Sequence, residues 1–590
     1  MTGKDTMTSY PTTRAIRRQA LCGLILVGLA LRLAGIDFGL PHPRVRPDED
    51  TIVQTALRIT EGDPNHHFFN YPSLFLYILA ASYRLAMLVM HLAGLSAETI
   101  NWAFHVDPTT PYLIARLLSA LAGTATILAV FVTAREAFDM PSAFFASAFL
   151  AVAYLHVRDS HFGTTDVTSA LPTVCATYYA VRIARGKGAT RAYVLAGVLA
   201  GLAAGAKYGA GLVALAPFAA HLVRARGILT GMRDRRIWIY AAVCALAFFG
   251  TTPYALLDAP KFLADLLGEA HHVRGGHRIS GALTVGLPGW LHHARYTLPY
   301  GLGWPLLGAA LAGVLLSFRR SPGPPPHLAG LHAGRSATRT SKPDFGLPCG
   351  PFPNRERRSP RRVNSDEDRE EKTMSYAVPA AIWVFPVAYY LVAGMGYTVF
   401  TRYMIPLVPY LCMAAGCAAA RTLTCCRLRS PWRHTLCTLL VAAVGLPPLS
   451  RSIQFDRLLA KRDNRLVVAD WMDANLPQGR SVLQTGMPHG HVMLPSDLHS
   501  FGLADRRAGR RPDFMLVQRH PLAFSRLSPE LEQTVKEHYR LRERFSALSR
   551  QSDQAWYDRQ DAFFLPFAGF KGIRRPGPNY DLYENKSKQP

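Results

Sequence analysis

The chain carries 590 residues, 49% of them hydrophobic, at a mean hydropathy of only +0.07, which excludes both a pure membrane bundle and a water-soluble enzyme and leaves a mixture of the two. Its formal charge of +26 does not call for nucleic acid, because the Lys and Arg residues sit mainly in short connections between apolar runs, the pattern of the positive-inside rule. Nine cysteines without metal-ligand spacing, none of them beyond residue 450, exclude a tail held by disulfides or zinc.

Apolar runs long enough to cross a hydrocarbon core of about 30 Å fill most of the chain to residue 450 and then stop. The first, Ala20 to Leu40, follows Arg14, Arg17 and Arg18 and ends without a small-residue cleavage site, which predicts a retained helix with a cytoplasmic N-terminus. Further spans are expected over Pro111 to Ala134, Pro141 to Val157, Thr165 to Ala184, Ile237 to Leu257, Pro299 to Phe318, Tyr376 to Tyr397, Tyr403 to Ala420 and Thr435 to Ser450. Ala192 to Val223 is long enough for two short helices broken near Lys207. The run Tyr71 to Gly94 is read as an interfacial helix, since only then do the basic connections Arg185 to Arg191, Arg224 to Arg236 and Arg421 to Arg433 all fall in the cytoplasm.

The fold class that follows is a polytopic α-helical membrane protein of about eleven transmembrane helices with a C-terminal soluble α/β domain on the outer side. Residues 1–318 form an N-terminal membrane module with outer loops 39–110, 158–165 and 258–298. Residues 319–373, rich in Pro, Gly, Arg and Ser and without apolar period, read as a disordered cytoplasmic linker, and 374–450 as further spans. The tail, 451–590, contains a helix-like stretch from Leu466 to Leu476, a stop at Pro477 and Gly479, and the strand-like Ser481-Val482-Leu483.

The three outer loops bring polar groups to the membrane boundary. The first places Asp48, Glu49 and Asp50 directly after a span, where carboxylates are costly unless water, a cation or a reacting group compensates them. They can simply favour the first turn of a helix over Thr51 to Ile59. They can equally deprotonate an acceptor hydroxyl or amine as it attacks a sugar carbon from the face opposite a leaving phosphate.

The second loop holds Arg158, Asp159 and Asp166. An interfacial salt bridge accounts for the first two, whereas Asp166, at the mouth of an apolar helix, can orient the first acidic cluster or join Asp48 in holding a divalent cation. Lys207, in the middle of an apolar stretch, either snorkels or binds an anion such as a lipid phosphate. The third loop contains His271, His272, Arg274, His277, Arg278, His292 and His293, a pattern weak as a metal signal and better suited to anion contact or to ordinary surface histidines. Arg402, opening a span, can meet a phosphate or anchor at the interface.

These residues resemble the membrane glycosyltransferases of the GT-C superfamily, in the group joining protein O-mannosyltransferases and the bacterial aminoarabinose lipid A transferase. The resemblance rests on Pro47-Asp48-Glu49, Asn70-Tyr71-Pro72-Ser73-Leu74, Arg116-Leu117, Arg158 with Asp166, Gly205-x-Lys207-Tyr208 and Arg402-Tyr403-x-x-Pro406. In the tail it extends to Arg465, Trp471 and Asn475-Leu476-Pro477-x-Gly479. It implies an inverting transfer from a sugar on undecaprenyl phosphate or a related polyprenyl phosphate, with Asp48 as catalytic base, Glu49 its neighbour and Asp166 the second acidic residue. It also implies a multi-pass protein of the bacterial cytoplasmic membrane with its tail in the periplasm.

Lipid A transferases place a lysine just before the proline that opens the interfacial helix. Tyr71 stands there in this chain, so phosphate contacts fall to Lys207, Arg402, Tyr71 itself or His271. The acceptor, whether lipid, glycan or protein, is not selected by any motif. The alternative is a flippase for a lipid-linked sugar; such proteins usually show two similar halves, and the sequence shows no internal repeat.

Overall fold

The computed structural model describes residues 13–275, 288–318, 365–425, 430–502, 505, 510–549 and 554–588. The expectations for His277, Arg278 and most of the 319–373 linker fall outside these residues. The helix containing the span expected from Tyr376 begins at Ser365, inside that linker.

By length and composition, Leu74–Leu92, Thr109–Ala137, Tyr376–Ala393, Thr401–Cys425 and Thr435–Asn475 are long and apolar enough to cross a membrane. The pair Gly289–Leu302 and Trp304–Ser317, bent by 113°, adds a sixth if taken as one span. Other expected spans are realised as shorter helices, Met140–Val152 and Thr190–Ala206 among them. The chain breaks where local chemistry favours it: at Gly303, which takes φ 84°, and at Lys207, where the backbone turns extended between Thr190–Ala206 and the short 3-10 helix Tyr208–Ala214. The break expected near Lys207 is therefore present.

Small residues let these helices close on one another, as bundles in lipid require. Gly197, Gly201 and Gly205 line one face of Thr190–Ala206 and receive Tyr240, Cys244 and Thr251 of Arg235–Thr251. Gly313 lies against Ala414, and Gly416 against Ser142 and Ala146. Leu85, Leu92, Leu246 and Leu315 stay exposed on the outer surface, as suits contact with lipid.

Pro47 occupies the first turn of helix Pro47–Thr60, its fixed φ and missing N–H suiting that position, and Asp48, Glu49 and Asp50 follow in the same turn. The helix thus begins four residues before the expected Thr51. Ile52, Val53 and Ala56 bury against Phe75, Leu76 and Leu79 of Leu74–Leu92, which fixes where the acidic turn points.

The C-terminal domain is a five-stranded sheet of order β2-β1-β3-β5-β4, comprising β1 (Ser481–Gln484), β2 (His499–Ser500), β3 (Phe514–Arg519), β4 (Tyr539–Phe545) and β5 (Asn579–Asn585). β1 runs parallel to β2 and β3, and β5 pairs antiparallel with β3 and β4. Alternation along β3 sends Phe514 and Leu516 toward helix Asn464–Asn475 and Met515 and Val517 toward helix Pro529–His538. The helix and strand read in the tail are these, and Gly479, at φ 71°, follows the helix end.

The tail also folds back on the helices. Trp556 stacks on Tyr300 at 5.2 Å, Phe563 meets Phe162 edge-on at 5.1 Å, and Phe567 meets Tyr154 at 5.6 Å. This return puts residues 558–561 beside the acidic turn.

Candidate active site

Five sequence-distant segments meet at one end of the helical module. Asp48, in the first turn of Pro47–Thr60, lies 3.0 Å from the Arg402 guanidinium and 3.4 Å from that of Arg46. Asp166 opens Thr165–Ala184, where an acidic side chain is stabilised by the helix N-terminus, and it bonds the Lys207 ammonium. Lys207 reaches it from the C-cap of Thr190–Ala206, its Nζ standing 5.2 Å over the Tyr403 ring. Arg402, in the 3-10 helix Thr401–Leu407, stacks on Phe400 at 3.8 Å and approaches Asp166 at 4.0 Å.

The fifth segment is the tail. Asp561 bonds Arg46 and lies 3.3 Å from Arg402. Its neighbours secure it: Gln560 accepts the Val399 N–H at 2.6 Å and donates to the Tyr397 carbonyl at 2.8 Å, while Asp558 accepts the Thr401 N–H at 2.8 Å. Burial, followed by the charge of Asp561, raises the Asp558 carboxyl to about 6. Burial works the same way on Asp561 but is overcome by Arg46 and Arg402, which hold its carboxyl low.

Asp48, Tyr71, Asp166, Lys207 and Arg402 line one cavity of ≈ 760 Å³. Leu212, Leu266, Leu267, Val273 and Val392 form apolar wall beside this charged floor. Burial, then the charge of Asp48, raises the Tyr71 phenol well above its ordinary range, so it stays a neutral hydrogen-bonding group.

Three expected site residues lie elsewhere. Glu49 is fully buried and turned away from the cavity; it takes two bonds from Arg116, at 2.9 and 2.8 Å, and the Gly163 N–H at 2.7 Å. Successive residues of a helix diverge by about 100°, so Asp48 and Glu49 cannot face one site. Arg158 pairs with Asp159 at 2.8 Å and packs among the rings of Phe162, Phe563 and Phe567, so the plain salt bridge is what the fold shows and Arg158 does not join Asp166. His271 is exposed, and His272 lines the cavity in its place, together with Glu269 and Arg274 of helix Ala259–Gly275. His292 and His293 are buried near Trp556, away from the cavity.

For the divalent cation considered at Asp48 and Asp166, no group of three or more His, Cys, Asp or Glu side chains converges among the described residues, and both carboxylates are paired with cations. Arg46 and Asp561 were not singled out from the sequence, and Arg116 entered only through the resemblance, without its partner Glu49. Arg46 stands inside the acidic motif and was available to the eye, whereas Asp561 belongs to no pattern.

Residues 111–254 match the family model described as dolichyl-phosphate-mannose-protein mannosyltransferase. The matched segment contains Arg116, Asp166 and Lys207 but neither Asp48 nor Arg402. Over that segment, well under half of the chain, the sequence is similar to this family.

Among solved structures, the archaeal oligosaccharyltransferase AglB from Archaeoglobus fulgidus, in complex with an inhibitory peptide and a dolichol-phosphate, is 15% identical over 79% of this chain with a TM-score of 0.47; the chain spans 58% of its length. ArnT from Cupriavidus metallidurans, bound to undecaprenyl phosphate, is 14% identical over 89% of this chain and 96% of its own, with a TM-score of 0.48. The S. cerevisiae protein O-mannosyltransferase Pmt1-Pmt2 complex bound to the sugar donor is 19% identical over 49% of this chain and 37% of that one, at 0.31. No curated protein sequence matches the chain.

Proposed function

We propose that the chain is an inverting glycosyltransferase that moves a sugar from a polyprenyl-phosphate donor to an acceptor on the outer face of the bacterial cytoplasmic membrane, with the sheet domain in the periplasm. The observation that carries this reading is the cavity, whose apolar wall suits a prenyl chain and whose floor joins two carboxylates to two cations.

In the reaction, the acceptor's hydroxyl or amine attacks the anomeric carbon from the face opposite the phosphate. A bond forms to that carbon, the carbon–oxygen bond to the phosphate breaks with its electron pair on the phosphate, and Asp48 takes the acceptor's proton. Lys207 and Arg402 offset the charge that develops on the leaving phosphate, Asp166 holds Lys207 in place, and Tyr71 offers a neutral hydroxyl. The donor phosphate competes with Asp48 and Asp166 for the same two cations, so donor binding itself loosens Asp48 for its proton.

The test uses purified protein in lipid with synthetic polyprenyl-phosphate sugars, following release of polyprenyl phosphate by the wild type and Asp48→Asn. Release that depends on Asp48 supports the transferase. Donor binding without release, identical in both proteins, points instead to transport of a lipid-linked sugar.

A further inference from the structure

The charged floor sets Arg46, Lys207 and Arg402 against Asp48, Asp166 and Asp561, a balanced set to which the C-terminal domain contributes Asp561. Arg402 lies within ion-pair distance of all three carboxylates: Asp48 at 3.0 Å, Asp561 at 3.3 Å and Asp166 at 4.0 Å. Asp561 takes Arg46 as well, is buried, and does not line the cavity, so it touches neither donor nor acceptor. Its position is fixed by the bonds from Asp558 and Gln560 to the strand of chain, Tyr397 to Thr401, that leads directly into Arg402.

From this geometry we infer that Asp561 is a positioning residue for the transfer, an inference that rests on the transferase reading. It draws Arg46 and Arg402 partly off Asp48, leaving that carboxylate's oxygens open to the acceptor's proton, and it limits how tightly Arg402 grips the donor phosphate. Without it, two guanidiniums would share Asp48 and Asp166 with Lys207, and both would lose the carboxylate they meet jointly. A carboxylate held by two guanidiniums is less accessible to the acceptor's proton, while a phosphate entering the same floor meets more positive charge. Docking of the domain does not depend on this one side chain, because Trp556, Phe563 and Phe567 each pack on the helices independently.

The test compares full-length wild type, Asp561→Asn and Asp561→Glu in lipid. It reads kcat and KM for a polyprenyl-phosphate sugar, the Kd for sugar-free polyprenyl phosphate, and the thermal midpoint. Asp561→Asn is expected to lower kcat by about tenfold or more, while KM and Kd fall several-fold; Asp561→Glu, which keeps the charge, recovers both. An Asp561→Asn protein with wild-type kcat overturns the inference. So does one whose lost kcat comes with raised KM and a lowered midpoint that Glu does not rescue, since that is the behaviour of a structural contact alone. If the wild type releases no polyprenyl phosphate from any donor, the transferase reading falls, and the binding arm still decides the hold on Arg402: tighter binding to Asp561→Asn supports it, and equal binding removes it.

Discussion

Glu49 stands next to the proposed base in sequence, yet its surroundings assign it to the architecture, and substitution separates the two roles. Its carboxylate and the Arg116 guanidinium are both fully buried and joined at 2.9 and 2.8 Å; Arg116 also donates to the carbonyls of Ile36 and Phe38, and Glu49 accepts from Gly163. Removing one member of such a pair leaves the other charged without a counter-ion in a medium where charge is poorly solvated. Glu49→Ala should therefore cost about 3–5 kcal/mol. Glu49→Gln keeps the shape and the bond from Gly163 but turns an N–H donor toward Arg116, which has only donors to offer, so most of the cost remains. The double variant Glu49→Leu with Arg116→Met removes both charges and should recover much of the stability. Thermal unfolding in lipid measures the cost, and polyprenyl-phosphate release in the surviving protein measures the chemistry. If Glu49→Gln keeps its midpoint and loses turnover as Asp48→Asn does, Glu49 belongs to the reaction and the structural argument is wrong.

Lys207→Ala should raise KM for the donor by roughly tenfold, as the loss of one charge-assisted phosphate contact of about 1.4 kcal/mol implies, with Lys207→Arg intermediate; an unchanged KM would remove Lys207 from the phosphate site. Asp558 carries a carboxyl raised from 3.8 to about 6, so the folded state binds its proton more tightly than the unfolded chain. The stability this gives is full below about pH 4 and is lost as pH rises through about 6. Asp561, held low, acts in the opposite sense, its contribution fading only in more acid solution. Asp558→Asn should consequently flatten the thermal midpoint between pH 4 and 6 and leave it at or above wild type at pH 7, read by calorimetry. Gly313→Ala would drive its Cβ into the Ala414 carbonyl and should destabilise the bundle by about 1–3 kcal/mol, whereas Gly308→Ala, on the same helix with nothing near the added carbon, should not. Equal midpoints for the two would contradict the close helix contact.

What could be read from the sequence was whatever depends on neighbours along the chain. Apolar length marked the helices, the stretch around Lys207 announced its own break, and Pro477 with Gly479 marked the end of the tail helix. Asp48, Asp166 and Arg402 stood out as charges at the edge of an apolar run and Lys207 as a charge in the middle of one, and the fold brings all four to one cavity. Two of the three misplacements have a common origin in rotation about a helix axis: one residue separates Glu49 from Asp48 and His271 from His272, and that step of about 100° decides which side chain faces the cavity. Pairs closed by the fold left no periodic trace. Arg116 lies 67 residues from Glu49, and Asp561 lies 515 residues from Arg46.

The tail contact follows from an electrostatic requirement that the helical module does not meet by itself. Arg46, Lys207 and Arg402 outnumber Asp48 and Asp166, and an excess charge in a site this buried is expensive. Asp561 supplies the missing negative charge from a domain whose sheet has its own core, so the domain can be placed by apolar packing and still complete the ionic floor. In the proposed reaction this balance carries through each stage. A donor phosphodiester brings one negative charge to a neutral floor; attack then moves a proton onto Asp48 as the phosphate gains a second negative charge, so the charge summed over floor and ligand is the same before and after transfer. The product, a phosphate monoester beside a protonated Asp48, is positioned to take that proton as it leaves, which returns the floor to its starting state without requiring a separate base.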